Sequence, residues 1–542
     1  MDTDEEARST SSRQGGVLDF IERWGNRIPH PFWLFTGLAI LVALLSAVLS
    51  QTPISVQVPG EDAPVAIENL LTVENLRRMV VESISNFTGF PPLGIVLVVM
   101  LGVAVAEGSG MIMAAVRLVV TSVSGRWLTF AIALTGITGS IASDAIIVIL
   151  PPLAAMAFLA VGRNPLVGIG LGFTAVSAGF NASLIINATD PLLAGISTTT
   201  AQLVEEDYVV SPLANIYFTV VSSVLLAVIT TVVFERWVSP RMEAEGWRSE
   251  NSEAGDVDED EAGRDAAGED AAGDDDQAAD TEFESLEDAE LDQTEKRALK
   301  VGGLAALGFL AVVAIITAIP GSPLRGEDGA ILTGPAILSV SILIAGLFVV
   351  AGVAYGRVAG TITSWGDVPT FMAKGMSDLA PVLVLFFAAA QFIAWFGWSN
   401  MGTVLAVSGA NAIESLGVPP LVVILLVVLM TYVLNLFITS GSAQWTLMAP
   451  VIVPALMLLG IAPEVAQMGF RIGDSASNII TPLNVYFALM LTYLQRYKKD
   501  AGVGTLMAMT LPASLAILVG WVAFFVLWYA VGLPLGPGSP VR

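Results

Sequence analysis

Cysteine is absent from the 542 residues, and histidine occurs once, at His30. Without thiols there can be no disulfide, no thiolate metal site and no Cys nucleophile. A single imidazole ahead of the first apolar run argues against a zinc site or a Ser-His triad at depth. Charge is scarce as well. Only 13% of residues are Asp, Glu, Lys or Arg, against 54% hydrophobic, and the mean hydropathy is +0.74. That balance excludes an ordinary soluble protein and indicates a helical membrane protein with many spans. With a net charge of −25, no nucleic-acid partner is expected.

The charge that exists is lopsided. Residues 250–295 carry 21 of the 49 acidic residues and one basic residue, Arg264, a net of −20. The run Asp256-Val-Asp-Glu-Asp-Glu261 with its Ala-Gly repeats has no apolar surface to bury. The stretch 241–297 therefore reads as a disordered cytoplasmic linker between two halves, or as an acidic docking segment. The N-terminus and the 61–82 and 205–207 loops are also acid-rich, which fits a salt-loving (halophile) host. The first 16 residues lack the charged-then-apolar layout of a cleavable signal peptide.

In order, residues 1–30 are polar and contain Trp24, and His30-Pro31-Phe-Trp33 follows as an aromatic entry to the bilayer. Spans are expected near 32–50, 91–108, 212–234, 301–319, 331–351, 380–398 and 504–531. An amphipathic helix is expected near 68–84 and another over 358–378, and 399–417 reads as a polar loop. Residues 126–160 form two apolar arms around Gly139–Asp144, each too short to cross, and read as a re-entrant hairpin or as one kinked span. A second hairpin is expected at 419–458, with its tip at Thr439–Ala443. Two further spans, 165–200 and 464–495, are interrupted by polar and proline-containing stretches around Asn181, Asp190-Pro191 and Asp474–Pro482.

The order span, hairpin, broken span, span occurs twice. Ser143 lies eight residues before Pro151, and Ser442 eight before Pro450. The predicted fold class is thus an all-α polytopic membrane protein, with about nine transmembrane helices and two re-entrant hairpins in an inverted repeat. Its membrane repeats are 31–240 and 298–532, and 533–542 is a tail. With the N-terminus cytoplasmic, 19 of the 24 Lys and Arg lie inside, four outside (Arg77, Arg78, Arg325, Arg542) and one, Arg471, within a span. The positive-inside rule favours that orientation in a plasma membrane.

Polar residues at such depth are candidates for function. Half-helices that start at the hairpin tips present free N–H groups to an anion, with Ser143 and Ser442 as caps. Asn435 and Asp474, with Thr439, could hold Na⁺ through a carboxylate, an amide oxygen and unwound backbone. Asp474 could equally carry a proton, or pair with Arg471 three residues before it. Asn181 and Asp190 flank the first helix break, and Trp445 follows the second tip, where an indole can stack on an aromatic ligand.

These segments resemble the AbgT family of p-aminobenzoyl-glutamate transporters. The resemblance rests on Ala142-Ser-Asp144 to Ala155, Ala178-Gly-Phe-Asn-Ala182 with Thr189-Asp-Pro-Leu-Leu193, Ser440-Gly-Ser-Ala-Gln-Trp445 and Phe470-Arg-Ile-Gly-Asp-Ser475 through Pro482. It implies a homodimer of nine spans and two hairpins per subunit. It also implies cation-coupled movement, as symporter or antiporter, of p-aminobenzoyl-glutamate, a folate catabolite, or export of sulfonamide-type antimetabolites. Asn435 and Asp474 would fall in the family's Na⁺ region, and Asp190, Ser442, Trp445 and Arg471 in its transport pathway. The expectation is therefore a transporter rather than an enzyme, with Na⁺ or H⁺ as coupling ion and the bilayer as its surroundings. Three rivals stand beside it: a Na⁺/dicarboxylate carrier, an intramembrane amide hydrolase using Ser and Asp, and a channel, which saturable uphill flux would exclude.

Overall fold

The computed structural model describes residues 30–57, 63–123, 125–139, 145–244, 290–326, 329–331, 334–481 and 483–542. The acidic run 245–289, residues 140–144 with Ser143 and Asp144, where a hairpin tip is expected, and Pro482 lie outside the described residues.

Long apolar runs give the spans: α1 (Pro31–Leu49), α2 (Pro91–Gly108), then after the shorter α3 (Leu128–Thr138), α4 (Ala145–Ala160), α5 (Pro165–Ala178) and α6 (Thr189–Ala201) the long α7 (Ile216–Val233). The second half supplies α8 (Gln293–Ala318), α9 (Val340–Ala359), α10 (Ala380–Trp398), α11 (Pro420–Leu434), α12 (Gly441–Leu458), α13 (Pro463–Asn478), α14 (Val485–Tyr497) and α15 (Val503–Val531). Proline opens α1, α2, α5, α11 and α13, at the position where a missing N–H is harmless and its fixed φ suits a helix.

Eight helices among the described residues are long and apolar enough to cross a membrane. Seven coincide with the seven unbroken spans expected from sequence. The eighth is α12, expected as a hairpin arm and here 18 residues long with Pro450 and Pro454 inside it. The two broken spans are each a pair of shorter helices, α5 with α6 and α13 with α14.

Some boundaries differ from expectation. The span expected at 331–351 is at 340–359, because Gly334 and Pro335 start only a four-residue turn before the helix proper. Residues 293–297 are helix, not linker: Asp292 caps the Glu295 backbone and the Glu295 side chain returns to Asp292, a reciprocal box that starts α8 early. The polar loop at 399–417 holds a helix, Met401–Ser415, whose apolar face packs on α12. The amphipathic segments are helices at Val73–Val81 and Asp367–Asp378.

Element order repeats along the chain. α2, a short helix (Met111–Ser122), α3–α4, α5–α6 and α7 are followed later by α10, a short helix (Met401–Ser415), α11–α12, α13–α14 and α15. In both halves a glycine lets the first arm of the broken pair press on a preceding helix. A Cβ at Gly168 would lie 2.5 Å from the Ala154 carbonyl oxygen, and one at Gly473 2.4 Å from that of Val428.

The largest apolar core joins α3–α7 to α11–α15, so the two halves share one interior. A second core joins α1, α2, α9 and α10 around it. α8 packs along one side on α9 and leaves much of the rest of its surface uncovered by protein, as a lipid-facing helix does.

Candidate functional site

The two broken pairs meet at their breaks. α5 ends in a 3-10 turn, Gly179–Asn181, the chain runs extended, and α6 begins at Thr189. Asn187 Oδ1 accepts from the Thr189 and Asp190 amides, while Asp190 Oδ2 accepts from the Asn187 amide at 2.9 Å. This reciprocal cap fixes Asp190 at the helix start and leaves Oδ1 free to face α13. There Arg471 Nη1 donates to it at 2.7 Å. Both side chains are almost fully buried. Arg471 thus pairs across the two halves with Asp190, not with Asp474 on its own helix. Arg471 Nε has no acceptor among the described residues.

Asp474 is fully buried. Its Oδ2 accepts from Asn181 Nδ2 at 2.6 Å and from Asn478 Nδ2 at 3.3 Å. Asn435, at the end of α11, donates to Asn478 Oδ1 at 2.8 Å, to Ser477 Oγ at 2.9 Å and to the Asp474 carbonyl at 3.2 Å. Three buried oxygens of this cluster, Asn181 Oδ1, Asn435 Oδ1 and Asp474 Oδ1, have no donor among the described residues. Unpartnered buried acceptors are costly, so a set of three in one network asks for a positive partner. One carboxylate plus amide oxygens suits a small hard monovalent cation. Among the described residues no group of three or more His, Cys, Asp or Glu gathers to hold a metal ion.

The turn between α11 and α12 abuts this cluster. α12 begins at Gly441, and the Ser440 side chain, not that of Ser442, accepts from the Ala443 amide as its cap. Ser442 Oγ lies 3.2 Å from Ser440 Oγ. Gly441 passes so close to Asp474 that a Cβ there would sit 3.1 Å from Oδ2 and 3.3 Å from Oδ1.

A cavity of about 440 Å³ opens on the other side of this turn. Thr439, Ser440, Gly441, Ser442, Asn478 and Asn484, with Ser177 and Thr189, form its polar part; Val96, Met100, Val176, Phe180, Leu192, Leu379 and Val382 form an apolar wall. Of the residues singled out from sequence, Ser442 and Thr439 line it. Asn181, Asp190, Arg471, Asn435 and Asp474 form the buried layer behind. Trp445 lies deeper still: its Nε1 donates to Ser197 Oγ at 3.0 Å and its ring sits 4.8 Å from that of Phe470.

Asn478, Ser440 and Ser197 were not singled out from sequence. Asn478 bridges Asn435 to Asp474 and also touches the cavity. The signal for it was present: Glu464, Gln467, Arg471, Asp474 and Asn478 recur at three- and four-residue steps, one helical stripe. Ser197 sits in a polar Ser-Thr run near the end of α6, and nothing local distinguishes it.

Known proteins share this architecture. The AbgT transporter family model matches residues 16–273 and 269–542. The p-aminobenzoyl-glutamate transport protein of Escherichia coli (strain K12) is 35% identical over 530 residues, 98% of this chain and 97% of that one. The YdaH transporter of Alcanivorax borkumensis superposes with a TM-score of 0.82 at 38% identity, covering 94% of this chain and 100% of that one. MtrF of Neisseria gonorrhoeae, one of a class of antimetabolite efflux pumps, superposes with a TM-score of 0.85 at 36% identity, covering 97% and 100%. The stripe on α13, the helix breaks and the paired halves are therefore those of a secondary transporter, not of an enzyme, and this chain belongs to the AbgT family.

Proposed function

We propose that the protein moves p-aminobenzoyl-glutamate or related aromatic carboxylates across the plasma membrane, coupled to a cation, with Na⁺ the ion the cluster suits best. The carrying observation is the contact between ion and cavity layers: Gly441, at the cavity surface, abuts the Asp474 carboxylate. Asp474, Asn435 and Asn181 hold the cation, which supplies the positive charge that three orphaned oxygens lack. Thr439 belongs to the cavity face of the same tip.

The substrate's carboxylates meet the first amides of α12 and the hydroxyls of Ser440 and Ser442, where a helix N-terminus favours negative charge. Its ring lies along the apolar wall. The cavity volume of about 440 Å³ falls in the usual range for a small-molecule site, roughly 300–1,000 Å³. Its long apolar wall favours an aromatic ligand over a small dicarboxylate. Asp190 and Arg471 tie the two broken pairs together, and Ser143, at the first tip, is the equivalent cap in the other half. Trp445 backs α12.

The same reading carries nine spans, with α3–α4 and α11–α12 as hairpins dipping from opposite faces. The N-terminus is cytoplasmic, the halves are an inverted repeat and the assembly is a homodimer. One site serves uptake of a folate catabolite or export of an antimetabolite, the gradients setting the direction. The similarity to MtrF supports the second use.

Binding competition tests the substrate class. Labelled p-aminobenzoyl-glutamate bound to purified protein is displaced by other aromatic carboxylates and not by succinate or citrate. Displacement by succinate would return the dicarboxylate reading.

A further inference from the structure

The polar stripe of α13 continues past the ion cluster toward the loop 202–215. Glu464, in the first turn of α13, is 5% exposed, and Gln467, one turn on, is 1% exposed. Neither belongs to the site described above. Glu464 accepts from Tyr208 Oη at 3.0 Å through Oε2 and 3.3 Å through Oε1. Gln467 accepts from Asn215 at 2.5 Å and donates to Ser197 Oγ at 3.2 Å, the same hydroxyl that receives the Trp445 indole N–H.

A first-turn carboxylate commonly serves the helix dipole, but that role needs no burial. Of the first-turn acids on the described helices, only Asp190 and Glu464 are buried. Asp190 has Arg471 against it. Glu464 has no Lys, Arg or His within salt-bridge distance among the described residues. An ionised carboxylate kept from water without a cation is expensive, so such a group exchanges a proton with its surroundings. The other ionisable groups facing it are few. Glu205 shares the loop with Tyr208, and Glu206 and Asp207 beside it are exposed. Asp190 of α6 is engaged with Arg471; Tyr432 of α11 bonds to Ser514. α5 and α12 carry no ionisable side chain, and α15 carries only Tyr529, far along its length. Burial, followed by Glu464 and Glu205, pushes the Tyr208 phenol above its ordinary range, so Tyr208 acts as a hydrogen-bond donor rather than an acid.

We propose that Glu464 is a second coupling residue, a proton-binding carboxyl loaded from the outer face and held by Tyr208. This rests on the cation-coupled transport and the orientation proposed above. The carboxylate takes one proton from outer water and becomes a neutral carboxyl, whose O–H can then donate to Tyr208 Oη. The exposed Glu205, Glu206 and Asp207 raise the local proton supply. One turn on from Glu464 along α13, Gln467 reaches Trp445 at the back of α12 through their shared partner Ser197.

Infrared difference spectroscopy of the full-length protein in liposomes, titrated with pH, reads the carboxyl directly. Expected is a protonated-carboxyl band that Glu464→Gln removes and Asp474→Asn leaves in place. Tyr208→Phe, which takes away a donor to the charged form, keeps the band to higher pH by about one unit. In flux assays Glu464→Gln keeps Na⁺-driven movement and loses the dependence on outer pH. A spectrum in which Glu464→Gln removes no band overturns the proposal, as does an unchanged outer-pH dependence in that variant. If the wild type moves no substrate under any gradient, the transport reading falls, and the infrared titration still decides whether Glu464 takes up a proton.

Discussion

Arg471 Nη1 lies 2.7 Å from Asp190 Oδ1, and the two residues come from opposite halves of the chain. The pair is the one ion pair among the described residues with both side chains nearly out of water. Removing one partner strands the other charge in the interior, at about 3–5 kcal/mol. Asp190→Asn and Arg471→Gln should each lower the apparent Tm of the detergent-solubilised protein strongly, and the double variant should lose less than the sum. Additive losses would mean that the two groups do not act as a pair.

Asp474 predicts a specific response to Na⁺. A ligand that binds only the folded state stabilises it by about 2.7 kcal/mol at 100 times Kd. The wild type should therefore melt higher in NaCl than in KCl or choline chloride at equal ionic strength. Asp474→Asn, nearly isosteric, should abolish the difference while leaving the KCl value nearly unchanged. An Asp474→Asn protein that still responds to Na⁺ alone would move the ion elsewhere.

Gly441 is a steric test of the same cluster. An alanine Cβ there would lie 3.1 Å from Asp474 Oδ2 and 3.1 Å from Phe180 Cε1, tighter than ordinary contact. Gly441→Ala should weaken the Na⁺ response, because the added methyl must displace the Asp474 carboxylate or the Phe180 ring. Gly308→Ala is the control: no described atom lies within 4 Å of its added methyl on α8. It should be neutral or stabilising by up to about 1 kcal/mol.

Trp445 separates packing from ligand contact. Its N–H bond to Ser197 and its ring contact with Phe470 are internal. Trp445→Phe should cost about 0.5–1.5 kcal/mol, the worth of one hydrogen bond, and Trp445→Ala about 3–5 kcal/mol. Both should weaken aromatic and aliphatic ligands equally in competition binding. A selective loss for aromatic ligands would assign the indole a stacking role.

Much of this was legible in the sequence, because membrane physics leaves strong marks. The bilayer demands long apolar runs, and all seven unbroken spans follow from them. Depth makes polar residues conspicuous, so Asn181, Asp190, Asn435, Arg471 and Asp474 stand out, and the structure gathers them. Pairing was not legible. Arg471 and Asp474 share a helix face, yet the reciprocal cap at Asn187 turns Asp190 toward Arg471 from 281 residues away. Which hydroxyl caps α12 depends on where the helix starts, and Ser440 and Ser442 are equally good candidates until Gly441 is seen as the first residue. The indole of Trp445 was assigned to ligand by its position after the tip, and only the fold turns it toward Ser197.

The most direct measurement is flux of radiolabelled p-aminobenzoyl-glutamate in proteoliposomes, with a Na⁺ gradient imposed alone at equal pH. The account predicts saturable movement against the substrate's own gradient, abolished in Asp474→Asn and retained in Gly308→Ala. Movement that ignores the Na⁺ gradient, or that survives in Asp474→Asn, would contradict it.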